Sequence, residues 1–316
     1  MKFKFDCPAI FLIGPTASGK TEQSISIAQE FPVEIISVDS VMVFEGLDIG
    51  TSKPSKSLRD SFPHHLIDIC SPKQKFDLGL FLKNAEKAIK SIRRKNKVPL
   101  FIGGSMLFHK TLMEGIHNFP NDQEIRLDLE KLREKKGLEV LVNELKNLDY
   151  ETYLKIDIKN ARRVERALEI IRITGKKLSE LKSESKTLFF NQKDCLLLAI
   201  SDDKYKLEDR AKRRLNKMID LGFVAELENL KKEYKLTSKH QSMNSINYKQ
   251  FFPYINNDIS LDNAINDALN ATKQLIKTQI NWMKKFKLNY CVNTDNINDS
   301  GVFSDTINNY LRNYIR

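Results

Sequence analysis

Gly14-Pro15-Thr16-Ala17-Ser18-Gly19-Lys20-Thr21 follows the apolar run Ala9-Ile10-Phe11-Leu12-Ile13 and precedes a stretch, Glu22 to Phe31, in which Ile25, Ile27 and Ala28 recur at roughly helical spacing. The octapeptide fits G-x-x-x-x-G-K-[ST], and strand, Gly-rich turn and helix is the context that gives the pattern its meaning. Backbone N–H groups at a helix N-terminus surround an anion. Lys20 adds a point charge, and the Thr21 hydroxyl is placed to bind Mg²⁺. The loop predicts a di- or triphosphate and leaves open which one.

Working outward, strand-like and helix-like pieces alternate over the first 115 or so residues. Glu34-Ile35-Ile36-Ser37-Val38-Asp39-Ser40 reads as a second strand ending in an acidic residue, Phe81 to Asn96 as an amphipathic helix, and Val98-Pro99-Leu100-Phe101-Ile102-Gly103-Gly104-Ser105 as a third strand running into a glycine turn. The alternation predicts an α/β fold with a doubly wound parallel sheet, whose ligands sit at the C-terminal strand ends. Asp39, Gly103, Gly104 and Ser105 then share the P-loop's edge. From 121 to 192 strand signals stop, and Leu127–Lys135, Leu138–Leu148 and Ala161–Ile173 look helical. Cys195-Leu196-Leu197-Leu198-Ala199-Ile200 returns as a buried strand. The expected organisation is a core over 1–120, a helical insertion over 121–192, and a resumed core with C-terminal helices over 193–316. The Asn/Asp-rich stretch Asn289–Ser300 reads as loop.

The chain has 316 residues, 41% hydrophobic, and a net charge of +11. Apolar runs fall far short of the roughly 18 residues of a membrane span, and Met1-Lys2-Phe3-Lys4-Phe5-Asp6 lacks the apolar core of a secretory leader. A cytoplasmic protein with no membrane partner is expected, with monomer as the default state. Cys7, Cys70, Cys195 and Cys291 form no C-x-x-C pair, which argues against zinc, and disulfides are not expected in the cytosol. The charge is localised. Lys155–Lys177, Lys204–Lys217 and Lys273–Lys287 each carry +5, leaving the remainder at −4. Arg162 and Arg166 lie four apart with Arg163 alongside; Arg210, Arg213, Arg214 and Lys217 share a stripe; Lys273, Lys277 and Lys284 share another. One such stripe is most simply a solvated face. Three against an acidic background point to a polyanion larger than one nucleotide.

Taken together these stretches resemble the tRNA dimethylallyltransferases (tRNA isopentenyltransferases). The resemblance rests on Gly14–Thr21, Ser37-Val38-Asp39-Ser40, Gly46-Leu47-Asp48-Ile49-Gly50-Thr51-Ser52-Lys53-Pro54, Pro63-His64-His65-Leu66-Ile67-Asp68 and Gly103-Gly104-Ser105-Met106-Leu107. It continues in Arg163-Val164-Glu165-Arg166-Ala167-Leu168-Glu169 with Thr174-Gly175-Lys176, in Arg210–Gly222, and in Lys277-Thr278-Gln279-Ile280-Asn281-Trp282.

The resemblance implies transfer of a dimethylallyl group from dimethylallyl diphosphate to N6 of adenosine 37, beside the anticodon of a tRNA. The P-loop residues Gly14, Pro15, Thr16, Ala17, Ser18, Gly19, Lys20 and Thr21 then hold an isoprenoid diphosphate. Lys20, Arg214 and Mg²⁺ at Thr21 stabilise the charge that develops on it as the allylic C–O bond breaks. Asp39 accepts the N6 proton or, on a competing reading, belongs to the Mg²⁺ shell. Ser105 places a hydroxyl near the reacting atoms. The adenine must leave its stack, and single-stranded loops are where proteins read RNA bases. The implied tRNA contacts are Asp39, Ser40, Val41, Met42 and Ser105 around the base; Arg126, Arg162, Arg163, Val164, Glu165 and Arg166 on the insertion; Asn244, Ser245, Ile246, Asn247, Tyr248 and Lys249; and Lys277, Thr278, Gln279, Ile280, Asn281, Trp282, Met283 and Lys284.

This chain departs from the family's usual pattern at several positions: Ser105 for Thr, Phe44 for Tyr, Asn247 for Gly, and Lys273 and Thr278 where Arg is common. His64-His65-x-x-Asp68 suggests either a metal site or packing beside the site loop. Three other functions remain open on sequence: a P-loop kinase or NTPase, a prenyltransferase for free adenine nucleotides, and a non-catalytic RNA binder.

Overall fold

The computed structural model describes residues 3–183, 186–293, 295 and 302–314. Among them are eight strands: β1 (Phe3–Phe5), β2 (Ala9–Ile13), β3 (Val33–Ser37), β4 (His64–His65), β5 (Val98–Gly103), β6 (Leu188–Phe190), β7 (Cys195–Ser201) and β8 (Tyr290–Asn293). The helices in chain order are α1 (Lys20–Glu30), α2 (Lys56–Ser61), α3 (Leu78–Arg94), α4 (Met106–Glu114), α5 (Gln123–Lys136), α6 (Leu138–Leu148), α7 (Tyr150–Lys155), α8 (Ala161–Thr174), α9 (Leu178–Leu181), α10 (Lys204–Asp220), α11 (Phe223–Tyr234), α12 (Tyr248–Phe251), α13 (Leu261–Met283) and α14 (Ser304–Leu311).

The chain divides into two compact units. One is Gly115–Phe189 with the first residues of the chain, and the other joins Phe5–Glu114 to Phe190 onward. In the larger unit six strands form one sheet in the order β4-β3-β5-β2-β7-β8. Every pair in it is parallel. All five residues of β2 and of β3 are buried, as strands covered on both faces require. Side-chain alternation sorts the core. Ile10 and Leu12 pack with Ile27, Phe31 and the α14 residues Ile307 and Leu311. Phe11 turns to the other face, where it stacks on Phe101 at 4.7 Å and meets Phe190 edge-on.

Register explains why distant motifs meet. Ile13 pairs with Gly103 on β5 and with Ala199 on β7, and Ser37 pairs with Ile102. The residues just beyond these pairs, Gly14–Thr21, Val38–Asp39 and Gly104–Ser105, therefore leave the sheet at one edge.

The stretch after Asn289, read as loop, contains β8. Leu198, Ala199, Ile200 and Ser201 pair with Tyr290, Cys291, Val292 and Asn293. Only Val292 of this edge strand is buried, so the burial signal was one residue wide. Thr294 and residues 296–300 of that stretch lie outside the described residues.

The smaller unit is helical. Leu129, Leu141, Leu145, Val164, Ala167, Leu168 and Ile171 form its core. Asp122 caps α5 through Glu124 N–H (2.8 Å) and Ile125 N–H (3.1 Å). The α8 helix stops at Gly175, which takes the left-handed φ of 66°. Among the described residues no helix is long and apolar enough to cross a membrane.

Candidate active site

The C-terminal edge of the sheet opens into a cavity of about 1240 Å³ lined by the P-loop from Thr16 to Thr21, by Asp39–Met42, by Asp48–Pro54, by Gly103–Ser105, and by Arg210, Arg214 and Gln279. The P-loop turns into α1 at Gly19, whose φ of 82° is open to glycine at no steric cost. Gly14 and Gly103 are fixed by crowding. A Cβ at Gly14 would lie 2.7 Å from Ile200 O, and one at Gly103 would lie 2.1 Å from Val38 O.

Lys20 Nζ donates to Pro15 O at 2.6 Å and lies 3.4 Å from Ser18 Oγ. Burial, reinforced by the nearby Arg214 charge, lowers its pKa to about 7, against the opposing pull of Asp39 and Glu22. Such a strained cation gains most when an anion arrives. Arg214 donates from Nε to Ser52 Oγ (2.6 Å) and from Nη2 to Thr51 O (2.9 Å), and burial lowers its pKa too. Asp39 Oδ1 accepts from Val41 N–H (2.7 Å) and Met42 N–H (3.1 Å). Those bonds fix the carboxylate plane and leave Oδ2 for another donor. Ser105 donates its N–H to Val38 O (3.2 Å), tying the glycine turn to the Asp39 strand. Behind the turn, burial pushes the His109 pKa down to about 3. His109 is therefore a neutral packing group, its Nε2 3.3 Å from Gly103 O.

The structure redistributes several residues placed at the RNA by sequence. Gln279 is buried and bridges the site, accepting from Thr16 N–H (2.8 Å) and donating to Gly104 O (3.1 Å). Its side chain holds the P-loop to the glycine turn while still lining the cavity. Val164 lies in the core of the helical unit. Tyr248 and Met283 are buried, so they too are packing residues. Ile280 packs near Ala17 against the small α10–α13 cluster. Thr278 Oγ1 bonds back to Gln274 O, Asn244 Nδ2 to Ser238 O and His240 O, and Ser245 Oγ to Ser242 O. Ser40, Val41, Met42, Ser105, Ser245, Ile246 and Asn247 line the cavity. Lys249, Lys277, Asn281 and Lys284 are exposed, and Trp282 is half-buried.

Of the four arginines of the helical unit placed at the RNA by sequence, two are tied to one carboxylate, Arg126 while itself exposed. Arg126 (2.8 Å) and Arg166 (2.7 Å) are paired to Glu169, which is 1% exposed. Arg166 also donates to Pro120 O and Phe119 O. Glu165 is paired to Arg133 at 2.6 Å. Arg162 and Arg163 are exposed.

His64-His65-x-x-Asp68 does not gather into a metal centre. His65 Nε2 bonds the buried Glu34 at 2.9 Å, His64 Nδ1 faces Phe62 O at 2.6 Å, and Asp68 is held by Lys53 and Arg59. Phe44 is fully buried, so a tyrosine hydroxyl there would need a buried partner.

One carboxylate that no motif marked holds the loop from Asp48 to Gly50. Glu226 on α11 accepts from Asp48 N–H (3.1 Å), Ile49 N–H (2.6 Å), Gly50 N–H (3.2 Å) and Tyr248 OH (2.6 Å).

With this geometry in place, comparison with known proteins is decisive. The IPP transferase family profile matches residues 42–286 and the isopentenyl transferase profile residues 8–63. A tRNA dimethylallyltransferase of Francisella philomiragia is 40% identical over 277 residues, 87% of this chain and 90% of the relative. The chain belongs to the tRNA dimethylallyltransferase family. It is thus a prenyltransferase. Among solved structures, a tRNA delta(2)-isopentenylpyrophosphate transferase of Staphylococcus epidermidis is 33% identical with a TM-score of 0.68, covering 97% of this chain and 99% of the other. A eukaryotic dimethylallyltransferase acting on tRNA is 26% identical with a TM-score of 0.83, covering 98% of this chain and 80% of the other. These tRNA dimethylallyltransferase relatives share the α/β parallel-sheet fold described above.

Proposed function

We propose that the chain transfers the dimethylallyl group of dimethylallyl diphosphate to N6 of adenosine 37 in a tRNA, releasing diphosphate, in the cytoplasm. The observation that carries the reading is one cavity holding both a phosphate cradle at the end of β2 and, at the end of β3 two strands away, a carboxylate with one oxygen free.

Lys20, the P-loop N–H groups and Arg214 bind the diphosphate and stabilise the charge it gains as the C–O bond breaks. Thr21, in the first turn of α1, lines the same cavity as Asp39. Among the described residues no cluster of three or more His, Cys, Asp or Glu could hold a metal alone. The Thr21 hydroxyl and the Asp39 carboxylate on one cavity fit Mg²⁺, which takes few protein oxygens and completes its shell with substrate phosphates and water. Thr21 would hold the ion, which when bound supplies further charge neutralisation to the leaving diphosphate. Asp39 Oδ2 orients the exocyclic amine, whose lone pair is delocalised into the ring, and takes its proton as the C–N bond forms. Ser105 offers a hydroxyl beside the reacting atoms.

The RNA-facing set supported by exposure is Arg126 on α5 and Arg162 and Arg163 on α8, with Asn244, Lys249, Lys277, Thr278, Asn281 and Lys284. The anticodon stem-loop is the proposed partner of these residues. Incubation with dimethylallyl diphosphate, Mg²⁺ and unmodified tRNA is expected to yield N6-isopentenyl-adenosine in a nucleoside digest, with AMP a poor competitor for the stem-loop. Hydrolysis of ATP without prenylation would instead identify a P-loop NTPase.

A further inference from the structure

We infer that Glu226 is a positioning residue for Arg214, acting through the loop from Asp48 to Ser52; the inference rests on the reading of the cavity as a diphosphate site. Glu226 lies 12 residues beyond Arg214 in sequence, yet the two grip opposite ends of one loop. At one end three consecutive N–H groups, of Asp48, Ile49 and Gly50, converge on the Glu226 carboxylate. Successive N–H groups aimed at one anion form a nest, and here the anion belongs to the protein. Tyr248 OH adds a fourth donor at 2.6 Å, so this carboxylate is occupied by its partners and is not a proton acceptor for substrate.

Gly50 is held on both sides. Its N–H is 3.2 Å from Glu226, and its carbonyl accepts from Asn247 Nδ2 at 2.8 Å. A Cβ at Gly50 would lie 2.4 Å from the Phe223 ring and 2.7 Å from the Tyr248 ring, so the loop is pressed against α11 and α12. Asn247 adopts φ 73° and ψ −59°, the rare and strained γ-turn conformation. A glycine there would adopt it freely and make no bond to Gly50.

At the other end, Thr51 O and Ser52 Oγ accept two of the Arg214 donors. Ser52 itself sits at φ 53°, a conformation that persists only where the surroundings over-determine it. Two bonds to one guanidinium fix its plane. They leave the rest of the fork at the wall that also carries Lys20. Without the Glu226 nest, the loop amides would be free to rotate and Arg214 would lose its anchor.

A double-mutant cycle of Glu226→Gln and Arg214→Ala tests this. Each protein is read by calorimetry with inorganic diphosphate and by single-turnover prenyl transfer, with tRNA affinity measured alongside. Glu226→Gln is expected to weaken diphosphate binding and slow transfer by about tenfold, the loss of one well-made charged hydrogen bond. Its tRNA affinity should stay within about twofold. In the Arg214→Ala background the same change should cost less than about twofold, because the group it positions is gone. Equal losses in both backgrounds overturn the inference, since they mean that Glu226 acts independently of Arg214. If Glu226→Gln does not fold, Tyr248→Phe, which removes the hydroxyl donor to Glu226, enters the cycle in its place with the same expectation. Coupled diphosphate binding in a protein that makes no prenylated tRNA would refute the proposed function and support the positioning. Product formation with additive losses would do the reverse.

Discussion

Replacing Gly103 by alanine should strike the catalytic edge directly. The added Cβ would lie 2.1 Å from Val38 O, 2.5 Å from Val38 C and 3.0 Å from Val38 Cα. Non-bonded contacts sit at roughly 3.5 Å, so the two strand ends must part by about 1 Å or more. All three obstacles are backbone, and no side chain can swing away to relieve them. Two ties cross the point of contact: Val38 donates to Ile102 O at 2.7 Å and accepts from Ser105 N–H at 3.2 Å. Both stretch when the strands part. Asp39 follows Val38 directly, so the displacement reaches the proposed proton acceptor and Ser105 together. Overpacking of this kind costs about 1–3 kcal/mol, and in a chain of this size it lowers Tm by about 2–6 °C. A misplacement of about 1 Å costs on the order of 10²-fold in rate. Single-turnover prenyl transfer and thermal melting of the variant should show both effects, with tRNA binding retained. A variant that melts like the wild type and transfers within about threefold of its rate would refute the claim that the Val38–Gly103 contact sets the site geometry.

Three other perturbations follow from charge. With a pKa near 7, Lys20 of the free protein loses its proton as pH rises through neutrality, whereas bound diphosphate favours the ammonium form. Between about pH 7 and 9, affinity for inorganic diphosphate should therefore fall by up to about tenfold per pH unit, with proton uptake on binding; Lys20→Arg should abolish the fall. Arg162→Ala with Arg163→Ala should reduce the salt slope of tRNA binding by roughly one to two units. Arg166→Ala should appear instead as a lowered Tm, because it removes a partner of the buried Glu169.

Local patterns were legible in the sequence, and long-range side-chain pairings were not. The P-loop, Asp39 and Gly103–Ser105 each follow a short apolar run, and parallel pairing of such runs has only a few possible outcomes. Their common edge could be inferred before any coordinates. Glu226 carries no local signature, and Gln279, although it stands in a matching stretch of the family pattern, carries none for the bond it makes. Gln279 lies 263 residues from the Thr16 N–H it accepts, and Glu226 is one glutamate among several on an amphipathic helix. The bonds that define them appear only once α11 and α13 are packed. The basic stripes predicted a polyanion, but a stripe does not say which cations are already paired inside the protein. Arg126 and Arg166 are paired to Glu169, whereas Arg162 and Arg163 are exposed with no ion pair among the described residues; Arg126 is exposed as well as paired. Val164 and Tyr248 sit in matching stretches of the family pattern, yet both side chains belong to cores, since a motif includes the residues that hold its neighbours in place.

The central claim is that Asp39 and the P-loop act on opposite sides of one reacting carbon. Rapid quench of the wild-type protein and of Asp39→Ala, with labelled dimethylallyl diphosphate and an unmodified anticodon stem-loop, tests it most directly. The wild type should release one diphosphate for each N6-prenylated adenosine, and Asp39→Ala should bind the stem-loop within a few-fold while forming no product. Prenylation by Asp39→Ala near the wild-type rate, or diphosphate release without prenylated adenosine, would contradict it.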